Sequence, residues 1–148
     1  RTPVQADNKK LLEVQCFGNF EVFADGKPMK FKRSKEMELL AYLISLKGAS
    51  ANRNEICLNI FEESVSPDTA ATNFRQIFAS LKKDLARQGF EDVIIHDSKN
   101  AYSVDVALIH CDYYDYITGK TTAGNTYQGE FMNQYSWAEQ YIYSLENI

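Results

Sequence analysis

The sequence is poor in the residues that chemistry most often uses. Its three cysteines, Cys16, Cys57 and Cys111, are an odd number at wide spacing in 148 residues. That fits buried thiols in a reducing compartment better than a disulfide framework, so a cytoplasmic location is expected. There are two histidines, His96 and His110, and no Cys-x-x-Cys or His-x-x-x-His spacing. No metal and no cofactor is therefore expected. The seven glycines are scattered at turns, which leaves no phosphate-cradling loop. No apolar run approaches eighteen residues, and no basic-then-apolar leader opens the chain. Asp112 and Asp115 lie three apart, but they read as first-turn acids of a helix after Cys111 rather than as an acid–base pair. Without a nucleophile–base constellation the chain is not expected to be an enzyme.

What is present is ordinary for a soluble globular domain: 45% apolar and 24% charged residues, enough for one full core. The net charge of −4 argues against a nucleic-acid partner until the chain is divided. Residues 1–102 hold 15 basic and 14 acidic side chains, a net +1. Residues 103–148 hold Lys120 against six acids, a net −5. The acidity belongs mostly to the C-terminal third.

One stretch, Pro67 to Gln88, reads as a long helix with two contrasting faces. Ala70, Phe74, Ile77, Phe78, Leu81 and Leu85 form one apolar stripe at helical spacing. The opposite side carries Thr69, Thr72, Asn73, Gln76, Ala79, Ser80, Lys83 and Arg87. No carboxylate occurs between Thr69 and Lys83, which is unusual for a solvated face. Short polar groups and cations on a helix anchored from behind are what a DNA major groove accepts.

The rest of the chain supplies neighbours for that helix. Residues 1–10 have no apolar periodicity and read as a linker. From Leu11 apolar residues alternate, pause at Gly18-Asn19, resume through Phe20, Val22 and Ala24, and turn at Asp25-Gly26 toward Met29 and Phe31. This predicts three short antiparallel strands. Ser34 is the expected cap of a helix over Lys35–Lys47, apolar on two sides and so buried against two partners. Gly48 is placed to end it. Asn52 with Glu55 predicts a capping box for a second helix, followed by an acidic loop over Glu62–Val65. Ser66-Pro67 opens the long helix and Gly89 closes it. Val93–His96 and Ala101–Val106 predict a final hairpin.

That order resembles the OmpR-type winged helix-turn-helix, and the residues resemble the Streptomyces antibiotic regulatory protein family. FGNFEVFADGKPMKFKRSKEMELLAYL is similar to that family's strand–strand–helix opening, and NRNEICLNIF to its second helix. PDTAATNFRQIFASLKKDL resembles its recognition helix, with Asn73, Arg75 and Leu81 matching the usual residues, and AYSVD its second wing strand. HCDYYDYITG and YQGEFMNQYSWAEQYIYSLEN resemble the approach to, and start of, its helical bacterial transcriptional activation domain. The resemblance implies an α+β fold with an N-terminal antiparallel sheet, three helices and a wing. It implies a winged-helix domain over residues 11–106 and the start of a helical activation domain over 107–148. It also implies head-to-tail copies on direct repeats, contact with RNA polymerase through the acidic segment, and an upstream receiver domain as in atypical response regulators.

On this reading Thr72, Asn73, Gln76 and Ser80 would face base edges of double-stranded DNA. Lys32, Arg33, Arg53, Thr69, Arg75, Lys82, Lys83 and Lys99 would meet the backbone. Arg75 and Lys82 lie at the edge of the polar face, which suits phosphate better than bases. A winged helix serving as a protein-interaction module is the rival reading, favoured by the low charge and by a serine at position 80 rather than arginine.

Overall fold

The alternation that begins at Leu12 builds the first sheet. In the computed structural model, which describes residues 10–62, 65–120 and 127–148, Leu12, Val14 and Cys16 are buried and Glu13 is exposed. Strands β1 (Leu12–Gln15), β2 (Glu21–Ala24) and β3 (Lys27–Pro28) are antiparallel, with Val14 opposite Val22 and Phe23 opposite Pro28. Asp25 and Gly26 both have positive φ, as a tight primed hairpin turn requires. The third strand lies earlier than the expected Met29–Phe31, although the Met29 N–H still donates to Val22 at 2.8 Å. The expected linker, residues 1–9, and residues 63 and 64 of the acidic loop lie outside the described residues.

Three helices follow: α1 (Ser34–Ser45), α2 (Arg53–Ile60) and α3 (Pro67–Arg87). The cap of α1 is Arg33 rather than Ser34, because the Glu36 side chain reaches back to the Arg33 N–H at 3.1 Å and draws Ser34 into the helix. Lys47 and Gly48 both take positive φ as the chain leaves α1. Leu39, Leu40, Ala41, Leu43 and Ile44 have no exposed surface, so α1 is the central helix, and α2, α3 and the hairpin strand Ala101–Val104 all pack on it. The Asn52–Glu55 capping box forms with both bonds, at 2.8 and 3.3 Å. Ser66 accepts from the Thr69 N–H and Pro67 occupies the first turn of α3. The predicted stripe of α3 is buried at Ala70, Phe74, Ile77, Leu81 and Leu85, with Phe78 half-buried.

Strand β4 (Ala51–Asn52), immediately before α2, pairs with β6 (Ala101–Val104), which pairs with β5 (Ile94–His96). The hairpin is thus one strand wider than the sequence suggested, and Val106 begins a 3-10 turn instead of ending β6. Asp97 closes its tip by accepting the N–H groups of Lys99 and Ala101. These two bonds hold the Asp97 carboxyl below its usual range.

Beyond the hairpin the chain returns to the first sheet. Strand β7 (Ile109–Cys111) lies parallel to β1, giving the order β3-β2-β1-β7. Helix α4 (Asp112–Ile117) follows, then a 3-10 turn (Ser136–Glu139) and α5 (Gln140–Glu146). Asp112 accepts the N–H groups of Cys16 and Phe17 at 2.7 and 3.1 Å, and Gln134 both donates to and accepts from the Phe20 backbone. Trp137 donates to Glu38 on α1 at 2.9 Å and sets its ring edge-on to Tyr42. Side chains from either side of position 106 therefore form one continuous core. Among the described residues no helix is long and apolar enough to cross a membrane.

Candidate nucleic-acid interface

The solvent side of α3 is a corridor with two different walls. One wall is the segment entering α1. There the Lys32 N–H donates to the buried Asp84 at 3.0 Å, which ties that segment to α3 and leaves the Lys32 side chain exposed. Arg87 pairs with the same Asp84 and so offsets its buried charge. The Arg33 guanidinium reaches across to Gln76, donating from Nη1 to Oε1 at 3.5 Å. The other wall is the β5–β6 hairpin. Phe78 meets Tyr102 and His96 edge-on, Tyr102 stacks on His96, and Lys82 lies over the Phe78 ring. Aromatic contact thus fixes the hairpin against α3, with Lys99 at its exposed tip.

Between these walls Gln76 and Lys83 are exposed, while Asn73 is half-buried. Thr69 and Thr72 are exposed in the first turns, but both hydroxyls have local partners. Thr69 Oγ1 accepts from Ser66, and Thr72 Oγ1 donates to the Asp68 carbonyl while accepting from Arg75 at 3.4 Å. Arg53 is exposed at the first position of α2, directly after the strand that pairs with β6. Ser80 is half-buried, and its hydroxyl donates to Glu36 at 2.7 Å.

The two buried carboxylates, Glu36 and Asp84, are the residues of this region that sequence reasoning passed over. Glu36 could have been noticed as an acid at the third position of a helix. Asp84 gave no signal, since it falls beside a core leucine at ordinary helical spacing. With both withdrawn from solvent, the described α3 surface between its two walls offers donors, short polar groups and cations.

The thiols lie elsewhere. All three cysteines are free, with Cys16 and Cys111 buried beneath the first sheet. Burial pushes the Cys16 thiol well above its usual range, and the neighbouring Cys111 adds to this. Ligand atoms of Cys16, Cys111 and Asp112 come within 4.8 Å of one another. The Asp112 carboxylate, however, already accepts backbone N–H groups through both oxygens, as a clasp between β1 and α4.

No protein-family model matches the chain, and no curated protein sequence does. Among solved structures, Mycobacterium tuberculosis EmbR, determined in complex with a low-affinity phosphopeptide, superposes with a TM-score of 0.68. The match has 15% sequence identity and covers 93% of this chain and 42% of EmbR. At that identity the two share a fold. The chain spans less than half the length of that protein.

Proposed function

We propose that this chain carries the sequence-specific DNA-binding domain of a bacterial transcriptional regulator, a winged helix of OmpR type. In it α3 enters the major groove and the β5–β6 hairpin is the wing. The observation that carries this is the surface of α3. Over fifteen residues, Thr69–Lys83, it has no carboxylate, and it is walled by Lys32 and Arg33 on one side and by Lys82 and Lys99 on the other.

Gln76, Asn73 and Thr72 face base edges, and Lys83, Thr69, Arg53, Lys32, Arg75 and Lys99 hold phosphates. Residues 11–106 make the DNA contacts. Residues 107–148 begin a helical activation module that braces the first sheet and presents acidic surface to RNA polymerase. One such domain offers few base-reading groups, so stable occupancy requires a second copy on a direct repeat. An upstream receiver domain, which the resemblance to atypical response regulators implies, belongs to the same proposal.

A second reading, a protein-interaction module, gains a structural feature in its favour. Leu58 is 81% exposed beside an open groove of about 750 Å³ between α2 and α3, lined also by Cys57, Phe61, Val65 and Ala71. A salt titration of binding to random and to selected duplex DNA separates the two. The DNA reading predicts affinity that falls with salt on both duplexes, through counterion release, and a preference for the selected one. Absence of binding to either at low salt would leave the interaction module.

A further inference from the structure

Ser80, Glu36, Arg33 and Gln76 form a polar chain along one wall of the α3 corridor. The Glu36 carboxylate has no exposed surface. Its Oε2 accepts the Ser80 hydroxyl at 2.7 Å and the Arg33 backbone N–H at 3.1 Å. Its Oε1 is buried without a hydrogen-bond partner among the described residues. A buried carboxylate already short of partners resists displacement, because losing either remaining donor costs its full desolvation. It therefore pins two points: the backbone of Arg33, and the α3 turn one step beyond Gln76. Between those points the Arg33 guanidinium donates to Gln76 Oε1.

We infer that Arg33 and Gln76 act as one reading unit that selects guanine, with Glu36 and Ser80 as positioning residues beneath it. The inference rests on the DNA-binding reading above and deepens it. A glutamine with both ends of its amide open pairs with adenine, donating to N7 and accepting from the N6 amino group. Here the Gln76 carbonyl accepts from Arg33 through one of its two lone pairs and has the guanidinium charge beside the other, so the end left unopposed is the Nε2 amide. Arg33 has five N–H donors and no acceptor, and one of the five is spent on Gln76. The pair is thus far richer in donors than in acceptors. Guanine shows two acceptors, N7 and O6, in the major groove, whereas adenine would set its N6 donor against donors. Ser80, which the sequence put among the base-facing residues, contributes from below, because its only hydroxyl proton goes to Glu36.

The test selects bound duplexes from a pool with a randomised centre, using the full chain and its Arg33→Met, Gln76→Ala and Ser80→Ala variants. The site read by the unit is the position whose preference disappears in Gln76→Ala. Wild type is expected to favour guanine over adenine there by on the order of 10-fold or more. Arg33→Met frees the glutamine carbonyl, so adenine should replace guanine at the same position, a switch that mere loss of structure does not produce. Ser80→Ala should narrow the guanine preference at that position and leave flanking preferences in place. Three results would overturn the inference: adenine favoured by wild type, guanine still favoured by Arg33→Met with weaker binding to every sequence, or an unchanged preference in Ser80→Ala. A wild-type protein that enriches no sequence would overturn the DNA-reading function itself, and the inference with it.

Discussion

Leu81 is the point at which the two faces of α3 can be told apart by stability alone. Its side chain has no exposed surface and lies in the core where α3 packs on α1, with Phe74 and Leu85 on the same stripe each about 1% exposed. Leu81→Ala removes three carbons, which at about 0.8 kcal/mol each is about 2.4 kcal/mol of transfer free energy. The surrounding groups are themselves fully packed and collapse poorly into the gap, so a cavity contribution brings the cost to about 3–5 kcal/mol. Against a total of about 5–15 kcal/mol this is a large share. Trp137, the only tryptophan, is buried on Tyr135 and Tyr42 and reports unfolding by fluorescence. With a urea m-value of about 2 kcal/mol per molar, the midpoint should fall by about 2 M. Lys83→Ala, on the exposed face of the same helix, should stay within about 0.5 kcal/mol of wild type. A Leu81→Ala midpoint within about 0.3 M of wild type at equal m would refute the face assignment.

Two further expectations concern the C-terminal segment. Trp137→Phe removes the Nε1 donor from Glu38 and should cost about 1.5–3 kcal/mol. Amide exchange over residues 127–148 should quicken relative to α1, and equal protection in both proteins would contradict the contact. His110 lies between Glu13 and Asp115 at 2.8 and 3.1 Å, and its hydrogen bond to Glu13, with both carboxylate charges, raises its pKa above the ordinary value. A raised pKa in the folded state adds stability that is complete below the unfolded value. That stability is lost as pH rises through the folded value. His110→Gln should therefore flatten the fall in urea midpoint just above the ordinary histidine range. The effect should be small, because the imidazole is half exposed and screened. Superimposable pH profiles of the two proteins would remove this linkage.

Long periodic elements were legible in the sequence and short, non-local ones were not. The twenty-one residues of α3 carry both caps and an unbroken stripe, so its ends and its buried face follow from local chemistry. Strand β7 has three residues and pairs with β1 almost a hundred positions away, and β4 has two. Neither is long enough to show a period. Arg33 replaced Ser34 as the cap because a glutamate three residues on could reach its N–H, a choice between two adjacent registers that sequence leaves open. The same limit governs Ser80. Its place on the polar face was readable, but its partner Glu36 lies 44 positions away and its engagement depends on how α1 crosses α3.

The proposed DNA binding divides its labour along one face of α3. Gln76 and Lys83 are both exposed there, seven residues and so two turns apart. On the proposed DNA-binding function, Gln76 reads a base and Lys83 neutralises a phosphate. The direct measurement is binding of wild type, Gln76→Ala and Lys83→Ala to a selected and a scrambled duplex over a range of salt concentrations. Gln76→Ala should reduce the selected-to-scrambled ratio by about 5-fold or more and leave the salt slope nearly unchanged. Lys83→Ala should weaken binding to both duplexes alike and lower the slope by about 1. If Gln76→Ala instead weakens both duplexes equally, or the wild-type ratio is already one, α3 does not read sequence.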